Sequence, residues 1–467
     1  LLAILSVMAA TDSLPLMKQV QAANDFVGGK GVFISFWNIA YTFIGLNVVF
    51  LFIDPIQTLH NYALTFFLAP LWMTPLLMGY ATERRLQFRR ADNLSKKKYI
   101  LLELRLPRDT RKTPLAMETF FSNMHFGPGE ATEYKVNVLG NVRPWWSFEI
   151  VSIGGRVHFY VWTLEQHRRG IESYLYSQYP DMEIIEAEDY SRLYDPADYS
   201  KNRMFGEEFI KTKADPYPIK TYVDYGLDKS GPKPEEQVDP LAQIIELLGS
   251  IGPKEQYWIQ FIIRLSKDEK YRPKINKEGK AYTWKDIAND EIEKIRALSV
   301  KKTKQVGPDG KVTEIEGFPN PTKGQGETIN AIERNVNKAA FDIGIRTIYS
   351  APEEAYQGGM IAFFMALWKP FSNENGNGFK PATMFSAGFN DYPWEDKKGI
   401  AHRFVERKIV DLYRRRSYFV QPYVGPWSVM STEELATLFH IPSSTIETPS
   451  LPRIQSSTSG APANLPT

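Results

Sequence analysis

At 467 residues, with 56 Lys+Arg against 54 Asp+Glu and a formal net charge of +2, the chain can hold more than one compact unit. That balance argues against a protein dominated by nucleic-acid binding. Cysteine is absent, which excludes disulfide scaffolds, thiolate zinc sites, iron–sulfur clusters and cysteine nucleophiles.

Residues 1–30 form an N-terminal segment whose apolar start, Leu1 to Ala10, fits the end of an upstream span or of a signal peptide. Between Lys30 and Glu83 the only formally charged residue is Asp54. This predicts a transmembrane helical hairpin over 31–82, with spans at 31–53 and 62–80, each near the ~20 residues that a helix needs to cross a bilayer. Pro70 and Pro75 should bend the second helix without ending it. A basic collar follows over 83–98, in which Arg84, Arg85, Arg89, Arg90, Lys96, Lys97 and Lys98 are candidate membrane-surface contacts. By the positive-inside rule they place the remaining chain in the cytoplasm, below a multi-pass cell membrane protein.

Residues 99–195 carry a strand at Tyr99 to Leu106, a helix at Pro114 to Met124, and a hairpin of Ser147 to Ile153 and Arg156 to Trp162 turning on Gly154-Gly155. A helix from Glu165 to Tyr179 and a strand from Met182 to Ala187 complete the order β-α-β-β-α-β. That order is ferredoxin-like. The landmarks recur over 196–390: Pro114-Leu115-Ala116 leading to Phe126-Gly127-Pro128 has a counterpart in Pro240-Leu241-Ala242 leading to Ile251-Gly252-Pro253. Tyr257 to Leu265 and Phe341 to Tyr349 match the hairpin strands, Glu353 to Trp368 matches the second helix, and Phe205 to Lys220 holds the first strand. The fold class expected is therefore α+β: two tandem ferredoxin-like units behind the helical hairpin, then a C-terminal helical segment and an extended tail.

The second copy differs by an insert over 266–338 between its hairpin strands. It holds a helix from Trp284 to Leu298, a small hairpin turning at Asp309-Gly310, a Pro/Gly-rich stretch from Pro319 to Gly326, and a helix from Glu327. A loop of that length is either a solvated insertion or a docking arm for a partner. In the helical segment 391–440, Ile400 to Tyr418 is a basic amphipathic helix. Arg403, Arg407, Arg414 and Arg415 form its candidate binding face, suited to nucleic acid or anionic lipid if it is more than a solvated face. Ser431 or Thr432 caps a short helix through Phe439, and 441–467 is a Ser/Thr/Pro-rich tail.

No stretch fits a phosphate-binding P-loop, a G-x-S-x-G elbow or an H-E-x-x-H zinc helix. None of the six histidines is paired at helical ligand spacing; His158 and His167 are the nearest to a shared metal. Trp145-Trp146 is either an aromatic docking patch or packing. No catalytic residue, metal or cofactor is expected.

The hairpin, the collar, Leu104-Arg-Leu-Pro-Arg108, Trp145-Trp146 and the closing Ser431-Thr-Glu-Glu-Leu-Ala-Thr-Leu-Phe-His-Ile-Pro442 together resemble the pre-motor region of conjugation-type ATPases, the type IV secretion and coupling motors. Thr448-Pro-Ser-Leu-Pro-Arg453 to Pro466 resembles the segment that leads into such a motor. The resemblance implies a non-catalytic, membrane-anchored scaffold of a secretion- or conjugation-like apparatus. Its partners would be the lipid bilayer, other copies of itself and a separate P-loop ATPase. The alternative is a self-assembling structural protein of the cell envelope with no transport role.

Overall fold

The computed structural model describes residues 36–107, 112–126, 132–196, 198, 201–228, 238–276, 278–306, 312–382, 400–421, 423–443 and 451–454. The segment 1–30, the turn at Asp309-Gly310 and most of the tail lie outside them. The chain divides into two compact units, residues up to Asn93 with Asn137–Gly140, and the rest.

The first unit is built on α1 (Phe36–Ile53) and most of α2 (Pro55–Ser95). Asp54 alone separates them: its carboxylate accepts the Gln57 amide at 3.0 Å, so residues 54–61, between the two expected spans, are the opening of α2. The Tyr62 hydroxyl reaches Asn47 Oδ1 of α1 at 2.8 Å. The basic collar is likewise no separate segment, because α2 runs through Arg84–Arg90. Among the described residues, no single helix is long and apolar enough to cross a membrane. Two pieces of α2, Pro55–Leu68 and Met73–Ser95, pass by length and composition only when taken together, and a 45° bend spanning Pro70 lies between them. The expected transmembrane hairpin, and with it the multi-pass cell-membrane location, is corrected on this finding. The apolar run of 62–80 is cut by the bend, and its continuation carries Glu83, Asp92 and four arginines.

The second unit is organised by one ten-stranded sheet. Its strands are β1 (Tyr99–Pro107), β2 (Trp145–Ile153), β3 (Arg156–Leu164), β4 (Glu183–Ala187), β5 (Asn202–Lys211), β6 (Gln256–Leu265), β9 (Ala340–Pro352), β10 (Phe379–Pro381), β13 (Ser428–Ser431) and β14 (Arg453–Ile454). The order is β10-β5-β9-β6-β2-β3-β1-β14, with β13 also on β9 and β4 also on β1. Pairing is antiparallel except between β1 and β14. Gly154 and Gly155 close the β2–β3 hairpin with φ of 58° and 83°, the left-handed pair that a two-residue turn of this twist requires.

The expectation of two tandem ferredoxin-like units is corrected here: the strands of both halves lie in one continuous sheet. The join is β2 against β6, paired antiparallel from Trp145↔Arg264 to Ile153↔Gln256. Both strands are buried along nearly their whole length rather than on alternate residues, so neither can stand at an exposed edge. The helices expected from the repeat are shorter than predicted in the second half, where Glu353–Trp368 yields only α10 (Met360–Ala366).

One face of the sheet is covered by α3 (Pro114–Asn123), α5 (Arg168–Gln178), α7 (Pro240–Gly249), α10 and α12 (Thr432–Leu438), around a core that includes Phe120, Phe148, Ile259, Phe261, Trp368 and Phe439. The opposite face is covered by α6 (Tyr190–Leu193), α11 (Ile400–Arg414) and the short β11 (Phe419–Val420) and β12 (Tyr423–Val424). A short α4 (Glu133–Asn137) precedes β2. The insert is α8 (Trp284–Leu298), a separate two-stranded ribbon of β7 (Val300–Val306) and β8 (Val312–Pro319), and α9 (Lys323–Val336). Trp284, Ile292, Ile295, Ile329 and Ile332 give it a core of its own, to which Val429 of β13 also belongs.

Candidate functional site

Alternation along a strand places every second side chain on one face, and register then aligns those side chains into rows across the sheet. On the face under α11 the register aligns Glu208, Arg346, Gln260, Glu149, Tyr160 and Glu103, one from each of six consecutive strands. The first four are fully buried. Arg346 donates Nε and Nη2 to Glu208 Oε1 at 2.9 and 2.6 Å, and Nη1 to Gln260 Oε1 at 3.3 Å. Gln260 Nε2 donates to Glu149 Oε1 at 3.0 Å and to the Tyr413 carbonyl at 3.2 Å.

The helical cover closes over this row with its own charges. Arg416, just past α11 and in the left-handed region at φ 47°, is buried. It donates Nε and Nη2 to Glu149 at 3.0 and 3.1 Å, and both terminal nitrogens to Asp189. Burial alone would lower the Arg416 pKa; Glu149 and Asp189 outweigh it and hold the guanidinium well above its ordinary value. The Tyr190 hydroxyl donates to Glu149 Oε2 at 2.7 Å and meets the Tyr413 hydroxyl at 2.7 Å. Burial, then the Glu149 charge, pushes both phenols far up, so they stay neutral. Tyr423 donates to Glu208 Oε2 at 2.5 Å. Each charge in the row faces an opposite one, the arrangement that a buried ionic network needs.

A second polar cluster surrounds α12, all of whose residues are buried. Ser431 and Glu434 form a capping box, and Glu434 Oε1 pairs with buried Lys211 at 2.6 Å. Burial nonetheless raises the Glu434 pKa. Glu433 accepts from Thr221 at 2.6 Å, Arg334 at 3.1 Å and Lys338 at 2.8 Å. His440 spans the Ala436 carbonyl at 2.9 Å and the Asp239 carboxylate at 3.0 Å, and Asp239 in turn caps α7. The closing motif therefore ties the end of the chain to β5, α7 and α9.

The insert borders two open clefts. One, of about 550 Å³, lies between Asp215, Lys270, Tyr271 and Trp427. The other, of about 520 Å³, lies between Lys213, Tyr217, Glu291, Gln325 and Glu374. The polar groups at the first are engaged with each other: Asp215 takes Lys270 at 2.7 Å and the Tyr271 hydroxyl at 3.0 Å. The insert also carries exposed apolar side chains, Phe318 at 95%, Leu298 at 80% and Ile275 at 66%.

The residues singled out in the sequence scatter over these features. Arg84, Arg85 and Arg89 are exposed and Arg90 half-buried on α2; Arg84 lies 5.9 Å from the Tyr80 ring. Lys96 is exposed, burial lowers the pKa of Lys97, and Lys98 pairs with Glu165 at 2.5 Å. The four arginines of the expected basic helix differ in surroundings, three of them on α11 and Arg415 just past it. Arg403 and Arg407 are exposed, Arg414 is turned to Ser191, Tyr194 and Asp195, and Arg415 is held by Asp411. Trp145 packs in the core under α11 and Trp146 in the opposite one. His158 sits on Glu103 at 2.8 Å, whereas His167 lies against Trp146 and Phe126, so the two do not converge. The polar row was missed in sequence because Glu149, Gln260 and Arg346 sit with other polar residues, such as Ser147, Arg264 and Asp342, inside mostly apolar strands. That interruption is itself the only signal, and it tells nothing about register.

No curated protein matches this chain. A family model described as a domain of unknown function (DUF8128) matches residues 81–453. The match begins on α2 and takes in the sheet, the polar row, α12 and the whole insert, and the chain belongs to that family.

Proposed function

We propose that the protein is a non-catalytic docking scaffold, with the insert as its contact element. The observation that carries this reading is the insert itself: a substructure with its own core that presents Phe318, Leu298 and Ile275 to solvent. Large apolar side chains held out by an ordered arm are the usual anchors of a protein interface. A support of the second kind is the state of the buried ionisable groups, which are spent on one another in the row and around α12. The resemblance to pre-motor regions makes a separate P-loop ATPase of a secretion- or conjugation-like apparatus the first partner to test.

The experiment is isolation of the tagged full chain from its own cells, with every co-purifying protein identified and quantified. A P-loop ATPase in stoichiometric amount, lost from the Leu298→Ser variant, is the expected result. Recovery of this chain with no second protein sinks the docking reading and leaves self-assembly.

A further inference from the structure

We infer that the β7–β8 ribbon joins copies of this chain by strand addition, β7 of one copy lying antiparallel against β8 of the next. Among the described residues, β7 and β8 pair with each other and with no further strand. Each therefore has an edge of backbone N–H and C=O groups that no described strand covers, and such an edge is a template for pairing with another chain.

The sequence of the two strands decides what can join. β7 is Val-Lys-Lys-Thr-Lys-Gln-Val and β8 is Val-Thr-Glu-Ile-Glu-Gly-Phe-Pro. Within one chain the register sets Lys302 opposite Glu316 and Lys304 opposite Glu314. Opposite charges across a strand pair stabilise it by roughly 0.2–1 kcal/mol each, and like charges oppose it. Pairing β7 with another β7 sets lysines against lysines, and β8 with β8 sets glutamates against glutamates. The open edge of β7 is complementary to the open edge of β8, so the occupant that fits is a second copy in the same register. Phe318, 95% exposed, and Leu298, 80% exposed, stand at the base of the ribbon and supply apolar area to the contact.

Such a contact is heterologous. Each copy offers β7 to one neighbour and β8 to another, which generates rings or open chains rather than a closed dimer. The inference deepens the scaffold reading, on which it rests for the insert as contact element, by naming one occupant of that element.

The test uses two full-length proteins with different tags: the natural chain and a charge-swapped variant carrying Lys302→Glu, Lys304→Glu, Glu314→Lys and Glu316→Lys. The swap keeps the ribbon complementary within each chain but makes both inter-copy edges repulsive between the two proteins. Expected by sedimentation and tag capture are assemblies of three or more copies from each protein alone, with mixed species at least tenfold depleted. Phe318→Ser should weaken the association of the natural chain at least tenfold. A natural chain that is monomeric or a closed dimer overturns the inference. So does free mixing of the two proteins, which would place the contact elsewhere, for instance on α1 and α2. A monomer leaves the docking reading standing, and failure to capture a second protein leaves the strand addition standing.

Discussion

At the scale of single residues, the polar row sets the energetic stakes. Removing one member of a buried ion pair leaves an uncompensated charge, at a cost of about 3–5 kcal/mol, whereas replacing both members by apolar groups is often neutral. Arg346→Met should therefore lower unfolding stability by about that amount, and Arg346→Met with Glu208→Leu should recover most of it; urea denaturation of the three proteins checks the pair. His440 and Asp239 give the row's counterpart around α12 a pH dependence. Burial would lower the His440 pKa, but the Asp239 carboxylate outweighs it and raises the value. Burial would raise Asp239, and His440 overturns that too, so its value is lowered. The histidine's contribution is complete below its unfolded value of ~6.5 and is lost as pH rises through the raised folded value. The aspartate's is complete above ~3.9 and is lost as pH falls through its depressed one. Stability should thus fall as pH rises above ~6.5 and through the raised histidine value, and His440→Gln should flatten that slope in denaturation curves measured on the alkaline side.

At the scale of elements, two small features decide how closely the covers sit. Gly344 lies in β9 directly under Tyr418, and a Cβ there would meet the ring at 2.5 Å. Gly344→Ala should force the β11–β12 cover off the sheet, at a cost of about 1–3 kcal/mol typical of overpacking, read as a drop in melting temperature and faster hydrogen exchange in 413–424. The α12 capping box is the second. Ser431→Ala removes the acceptor of the Glu434 amide and should cost about 1–2 kcal/mol, the upper range for an N-cap because the site is buried. Elements of this size were legible in the sequence wherever local chemistry sets the boundary. Pro114 at a helix start, the Gly154-Gly155 turn and α8 at Trp284–Leu298 all follow from caps, turns and periodicity. The predicted Pro/Gly-rich stretch at 319–326 misjudged a cap: Thr322 and Gln325 form a capping box, so α9 starts inside it at Lys323.

At the scale of the whole molecule, matching landmarks suggested two separate units and said nothing of how their strands meet. Landmarks such as Pro114-Leu115-Ala116 and Pro240-Leu241-Ala242 report connectivity, and connectivity is silent on whether β2 and β6 are edges or partners. The clue was the two-sided burial of both strands, which an apolar run reports only as a core strand. The same limit applied to α2, where composition over 62–80 suggested a span and the bend at Pro70 divides it. The insert shows the converse. Its length marked it as a solvated insertion or a docking arm, yet Arg334 and Lys338 satisfy buried Glu433, Lys270 satisfies Asp215, and Val429 completes its core. Removing 267–338 would therefore strip counter-charges from beneath α12, and the shortened chain should fail to fold cooperatively. Removing only 300–319, with a short flexible link from α8 to α9, leaves those contacts intact. That protein should keep its melting temperature within a few degrees while losing the ribbon. Calorimetry of the two deletions separates an insert that is structural at its helices from one that is dispensable throughout: equal, undiminished stability of both would show that the sheet does not need the charges the insert supplies.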